Sequence, residues 1–138
     1  MRALICTSIA VIAMAFASAA SADNYGGVSK AEYQRNAALV YNAFASKYGP
    51  DVGRMMVRCM NRESGGNRRA WNRTDSHRDR AGNRVVGSFG LLQIGAGHRP
   101  LSMTVDQFRR LMWNPVENVR SALALYRSGG IGHWGGGC

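Results

Sequence analysis

Two cysteines, Cys59 and Cys138, limit this chain more than any other residues, and the reason lies in the segment ahead of them. Arg2 supplies a positive start. Ala3 to Ala20 is apolar or small throughout and carries no charge, and Ala20-Ser21-Ala22 forms an A-x-A site before polar sequence begins at Asp23. This pattern predicts a secretory signal peptide over residues 1–22, cleaved after Ala22; an uncleaved membrane anchor is the alternative. Cys6 leaves with the leader, and it follows Ile5 rather than the small residue a lipoprotein site needs. Residues 23–138 are then one exported domain, periplasmic or extracellular. In an oxidising compartment the two remaining cysteines form one disulfide. They stand 79 positions apart, a loop for which closure entropy gives roughly 4 kcal/mol. The bridge would pin a Gly-rich tail, Ser128 to Cys138, against the body of the domain.

The segment between them reads as helices. Ser29, with Glu32 three residues on, makes a capping box, and Tyr33, Ala37, Val40, Tyr41, Phe44 and Tyr48 share one helical face until Gly49-Pro50. Asp51 is placed to cap a second helix whose apolar side is Val52, Met55, Met56, Cys59 and Met60. Ser64-Gly65-Gly66-Asn67 stops it. Residues 64–87 are polar, Arg-rich and without helical periodicity, too long for an ordinary connection. They predict a functional loop or a small β-hairpin turning near Gly82-Asn83. Thr104 with Gln107 caps a third helix carrying Phe108, Leu111 and Met112. Asn114-Pro115-Val116-Glu117 opens a fourth, with Val116, Val119, Ala122, Leu123 and Tyr126 on its apolar side. The expected fold is mainly α (α+β), with at least four helices around one core and a small hairpin or irregular segment between the second and third. At 138 residues, 46% of them hydrophobic, the chain has room for one such core and not for two domains. No segment after the leader has the run of about 18 apolar residues that a membrane span needs.

Glu63 is the acid that most suggests chemistry. It follows Met60, Cys59 and Met56 at helical steps, so it continues the apolar stripe at the C-terminal end of the second helix. Partial desolvation and the negative end of the helix dipole both oppose ionisation there, which suits a general acid near neutral pH. Arg58 and Arg62 stand close enough in sequence to pair with it instead. The Gly87 to Gly90 turn suits a cleft wall that a polymer can approach closely. Gln93, inside an otherwise apolar run, offers a donor and an acceptor to a sugar, or to nearby backbone.

Three motifs carry a resemblance. Glu63-Ser64-Gly65, then Gly87-Ser88-Phe89-Gly90-Leu91-Leu92-Gln93-Ile94, then Asn114-Pro115-Val116-Glu117-Asn118-Val119 resemble, in order and spacing, the lytic transglycosylase and goose-type lysozyme superfamily. The resemblance implies a lysozyme-like helical domain. It implies Glu63 as the catalytic glutamate, with Ser64, Gly90, Leu91 and Gln93 along the glycan groove. It matches Tyr126 and Trp134 to aromatic positions that close the domain in short members, Tyr126 on the substrate side. The Ala-Tyr-Asn motif that larger soluble members carry late in the domain is absent here.

The implied activity is cleavage of peptidoglycan at the β-1,4 bond between N-acetylmuramic acid and N-acetylglucosamine, with glycan strands as partner and no cofactor. A transglycosylase needs Glu63 alone. A hydrolytic lysozyme would need a second carboxylate, Asp75 or Asp79, although Asp75-Ser76-His77-Arg78-Asp79-Arg80 reads equally as a solvated, Arg-paired turn. No metal is expected, because His77, His98 and His133 lack ligand spacing, and Asp75 and Asp79 do not complete a calcium loop. Gly130-Ile131-Gly132-His133-Trp134-Gly135 is a literal G-x-G-x-x-G without the helix such a site requires. The formal net charge is +10, from 18 Lys+Arg against 8 Asp+Glu. That charge suits attraction to anionic wall polymers, and a non-catalytic basic wall-binding or antimicrobial protein is the alternative outside enzymes. Export and the lack of a single basic helix face argue against nucleic acid.

Overall fold

Three of the four α-helices among the described residues start where a side-chain oxygen accepts from their otherwise unpaired N–H groups. The computed structural model describes residues 27–136 and 138; the signal peptide expected over residues 1–22 lies outside the described residues. Helix α1 is Lys30–Tyr48, with Ser29 Oγ accepting the Glu32 N–H at 3.2 Å. The expected capping box forms by half, because the Glu32 carboxylate lies instead 3.7 Å from Arg68 Nε. Helix α2, Pro50–Ser64, is capped by Gly49 and not by Asp51. Gly49 at φ 89° reverses the chain in one residue. Pro50 then takes the first helical position, where its missing N–H costs nothing. Asp51 sits in the first turn and pairs with Arg54. Helix α3, Val105–Met112, has the complete Thr104–Gln107 box, with bonds of 2.8 and 3.1 Å. Helix α4 is Pro115–Gly129, and Asn114 Oδ1 accepts from Val116 and Glu117 N–H.

Of the two possibilities for residues 64–87, the structure takes the hairpin. Strand β1, Trp71–Arg78, runs antiparallel to β2, Arg84–Phe89, with Trp71 opposite Phe89, Arg78 opposite Arg84 and an irregularity between Asn72 and Ser76. Strand β3, Ile94–Gly95, adds to the far side of β2. The fold is therefore mainly α with one small antiparallel sheet. Val40 and Phe44 of α1 meet Met56, Cys59 and Met60 of α2, with Phe89, Leu91, Leu92, Ile94, Phe108, Met112, Val119 and Ala122 completing the core. Helices α1 and α2 approach closely at Gly53, where a methyl group would lie 2.9 Å from both Ala45 and Tyr41.

One buried amide ties the core together. Asn118 of α4 is fully buried. Its Oδ1 accepts the Leu92 N–H at 2.9 Å, and its Nδ2 donates to the Phe89 carbonyl at 2.9 Å and the Met112 carbonyl at 3.1 Å. Gly90 crosses directly over this amide at φ 79°, and a Cβ there would lie 2.3 Å from Asn118 Nδ2. Only glycine suits both the backbone angle and the space.

The tail is more ordered than its glycines suggest. Gly130–Trp134 forms a 3-10 turn, and the buried Trp134 donates its indole N–H to the Leu92 carbonyl at 2.9 Å. The expected disulfide joins Cys59 to Cys138 with Cα atoms 4.8 Å apart, and Arg58 Nε donates to the Cys138 carbonyl at 3.3 Å. Among the described residues no helix is long and apolar enough to cross a membrane.

Two outcomes follow for stability. Asn118→Ala strands one N–H and two carbonyls in the core and should cost about 3 kcal/mol or more in urea unfolding; a loss below about 1 kcal/mol would mean the three groups find other partners. Reducing the disulfide should lower unfolding stability by up to roughly 4 kcal/mol, measured with and without dithiothreitol.

Candidate active site

Glu63 lies where its spacing predicts, one helical turn beyond the buried Cys59 and Met60. Its side chain is 23% exposed. Of the two arginines near it in sequence, Arg62 is the partner. Glu63 Oε1 accepts from Arg62 Nε at 3.1 Å and Nη2 at 2.7 Å. The same Nη2 donates to the Trp134 carbonyl at 2.7 Å. Since Trp134 also bonds the Leu92 carbonyl, a continuous path of contacts joins Glu63 to the second motif. In this arrangement Glu63 Oε1 is an acceptor for Arg62, and Oε2 is the oxygen left to carry a proton for donation.

The turn behind Glu63 is held rigidly. Gly65 ends α2 at φ 60°. Ser64 Oγ donates to the Met60 carbonyl and accepts the Gly66 N–H, both at 3.1 Å. Asn36 Nδ2, buried on α1, donates to the Gly66 carbonyl at 2.9 Å. Ser64 thus finishes the helix, a local role its hydroxyl fulfils with backbone partners.

In the second motif, the Gly90 N–H donates to the Ala70 carbonyl at 2.9 Å, which binds the motif to the start of the hairpin. Gln93 has φ 47°, the one non-glycine residue with positive φ among the described residues. Its Nε2 donates to the Gly90 carbonyl at 3.0 Å. Holding a glutamine there costs roughly 1 kcal/mol or more, a strain of the kind that collects at binding sites.

Several expected site residues sit elsewhere. Leu91 is fully buried. It supports the groove motif from beneath and offers no surface to a substrate. Tyr126 packs against Phe44, with ring centroids 5.6 Å apart, and against Tyr48 at 4.8 Å. Phe44 lies eight residues, about 12 Å along α1, from Asn36, the residue that bonds the turn after Glu63. Tyr126 belongs to the α1–α4 seam because its side of α4 faces α1.

Asp79 is a structural carboxylate. Its Oδ1 accepts the Ala81 and Asn83 N–H groups at 2.9 Å, closing the hairpin turn, and its Oδ2 meets Arg99 Nη2 at 2.9 Å. Burial pushes this carboxyl up, but the Asn83 and Ala81 hydrogen bonds and the Arg99 charge outweigh burial and hold it below its ordinary value. Asp75, half-buried on β1, makes no hydrogen bond or ion pair among the described residues, so it alone remains free as a second carboxylate.

Sequence spacing gave no hint that the histidines gather. His98 and His133 rings lie 6.3 Å apart. His77 Nε2 lies 3.0 Å from Ser88 Oγ, and His77 and His98 line a cavity of about 290 Å³ with Arg78, Asp79, Arg80 and Gly97. Glu63 is not among its lining residues. Burial, then the His133, His77 and Arg80 charges, push His98 below its ordinary value. Among the described residues no three His, Cys, Asp or Glu side chains are arranged to hold a metal. Asn36 and Asn118 were the residues sequence patterning passed over as structural supports of the site. The signal for Asn118 was present, since it lies one turn before Ala122 on the apolar side of α4. Compared with protein families, curated proteins and solved structures, the chain matches none.

Acid should destabilise the fold in two stages. His98 stays neutral when folded, so stability begins to fall as pH drops below about 6.5, where the unfolded imidazole takes up a proton first. Asp79 stays ionised when folded, so a second loss follows below about 3.8. Denaturant unfolding from pH 8 to pH 2 should show the first stage flattened in His98→Gln and the second in Asp79→Asn; unchanged slopes would assign the losses to other groups.

Proposed function

We propose that this chain is an exported peptidoglycan-cleaving lytic transglycosylase in which Glu63 is the only catalytic carboxyl. The observation that carries this is the convergence of three motifs far apart in sequence. Asn118 of the third grips both sides of Gly90 in the second, and Arg62 with Trp134 links Glu63 of the first to Leu92 of the second. Part-buried Glu63 is therefore tied through Arg62 and Trp134 to the glycine-containing turn, a linkage that supports reading the two as parts of one site.

In the proposed reaction Glu63, protonated on Oε2, gives its proton to the glycosidic oxygen between N-acetylmuramic acid and N-acetylglucosamine. The C–O bond breaks and the N-acetylglucosamine hydroxyl leaves. The resulting carboxylate then takes the proton of the muramic C6 hydroxyl, whose oxygen bonds to the anomeric carbon and closes a 1,6-anhydro ring. Glu63 ends protonated, ready for a second cycle, and no water is consumed. One carboxyl in both roles agrees with the engagement of Asp79 by its own turn and by Arg99. The half-buried Gln93 amide, whose oxygen takes no bond from the turn, is the group of this motif best suited to hold sugar hydroxyls and N-acetyl groups.

Mass spectrometry of muropeptides released from purified peptidoglycan tests this. The expected products carry 1,6-anhydro-muramic acid, Glu63→Gln should lose cleavage by about a hundredfold or more while retaining sacculus binding, and Asp75→Asn should cleave normally. Reducing-end products lost in Asp75→Asn would instead assign a hydrolase with two carboxyls. Wall binding without release by the native chain would assign a non-catalytic binder.

A further inference from the structure

A separate stack of cations and indoles runs from the sheet onto α3. The Arg73 guanidinium lies over the Trp71 ring, 4.2 Å from its centroid. Arg109 of α3 lies over the same ring at 4.5 Å and over Trp113 at 4.6 Å. The order is Arg73, Trp71, Arg109, Trp113, cation and aromatic in alternation. Arg68 adds to one end, its Nη1 donating to the Trp113 carbonyl at 3.3 Å. Such contacts are worth about 0.5–1 kcal/mol each at exposed positions, and they hold guanidinium planes at fixed angles.

The charge of this stack is not balanced from within. Arg109 and Arg110 share Asp106, and Arg68 faces Glu32. Arg73 is exposed and has no acidic partner among the described residues. Four guanidiniums thus meet two carboxylates, and Arg73, at the outer end, is the one with no carboxylate in ion-pair reach among the described residues. A guanidinium already stacked on an indole loses little freedom when its N–H edge binds a ligand, and that planar edge matches two oxygens of one anion. Trp71 has two guanidiniums over its ring and leans on Phe89 at 6.1 Å. Its face is therefore committed to arginine and not free for a nucleobase. Asp106 holds the Arg109 edge, whereas the exposed Arg73 edge meets no carboxylate among the described residues and is the one open to anionic oxygens.

We infer that Arg73, Trp71, Arg109 and Trp113 form a docking ledge for a linear polyphosphate chain, whose repeats each present two free anionic oxygens to the Arg73 guanidinium edge. The ledge is independent of the proposed glycan cleavage and of Glu63. It localises what net charge alone would spread over the whole surface.

Binding of inorganic polyphosphate, followed by calorimetry at several salt concentrations, tests the ledge against plain charge. Arg73→Ala and the charge-neutral Trp71→Leu should each weaken binding about fivefold or more, while Arg127→Ala, an equal charge loss on α4, should change it less than about twofold. Trp71 also packs on Phe89, so circular dichroism checks that Trp71→Leu folds. Arg73→Lys, which keeps charge and loses the planar stack, should cost about threefold and stands if Trp71→Leu does not fold. Equal losses in Arg73→Ala and Arg127→Ala, with Trp71→Leu or Arg73→Lys unchanged, would overturn the inference. So would poly-L-glutamate of equal charge binding as tightly as polyphosphate. A single-stranded oligonucleotide binding more tightly than either would overturn it in favour of base stacking.

Discussion

The Asn118 amide is the interaction on which the rest of this molecule depends. It spends both its donors and an acceptor lone pair on backbone groups from three segments: the end of β2, the turn after it and the end of α3. A buried amide fully satisfied in this way fixes geometry more sharply than apolar packing, because its directions are set by hydrogen bonds. The Gly90 turn can then be both tight and strained. Its conformation is chosen by α4, not by its own preferences.

Around that anchor the chain closes by contacts from its own end. Trp134 fills a place beside Leu92 and presents its carbonyl to Arg62, so the tail contributes a wall to the surroundings of Glu63. The disulfide holds this tail near the buried middle of α2, one turn before Glu63. Position and charge are thereby linked: the guanidinium that neutralises Glu63 is the one that reads whether the tail is docked.

Most helix boundaries were legible in the sequence because caps are local chemistry. Thr104 with Gln107 and Asn114 with Pro115 act over three or four residues and need no tertiary partner. Ser29 kept its cap but lost the reciprocal half, since Arg68 offered Glu32 a charge that the sequence could not place beside it. Asp51 looked like a cap, yet Gly49 allowed the helix to begin earlier. At the site, Glu63 was legible from the period of its neighbours, and the choice of Arg62 over Arg58 was not, because it depends on where Trp134 docks. Leu91, Tyr126 and Asp79 show the same limit from the other side. Each has the right residue type, and each is committed to core, seam or turn by contacts made with distant parts of the chain.

The bridge between Cys59 and Cys138 has a topological consequence. The hairpin, α3, α4 and the tail all lie within one covalent ring that passes through the second half of α2, and α1 alone stands wholly outside it. A single protease cut anywhere from residue 60 to 137 therefore opens the ring without releasing a fragment. A cut in the α1–α2 connection at Gly49 frees α1 from any covalent hold, leaving it attached by packing alone.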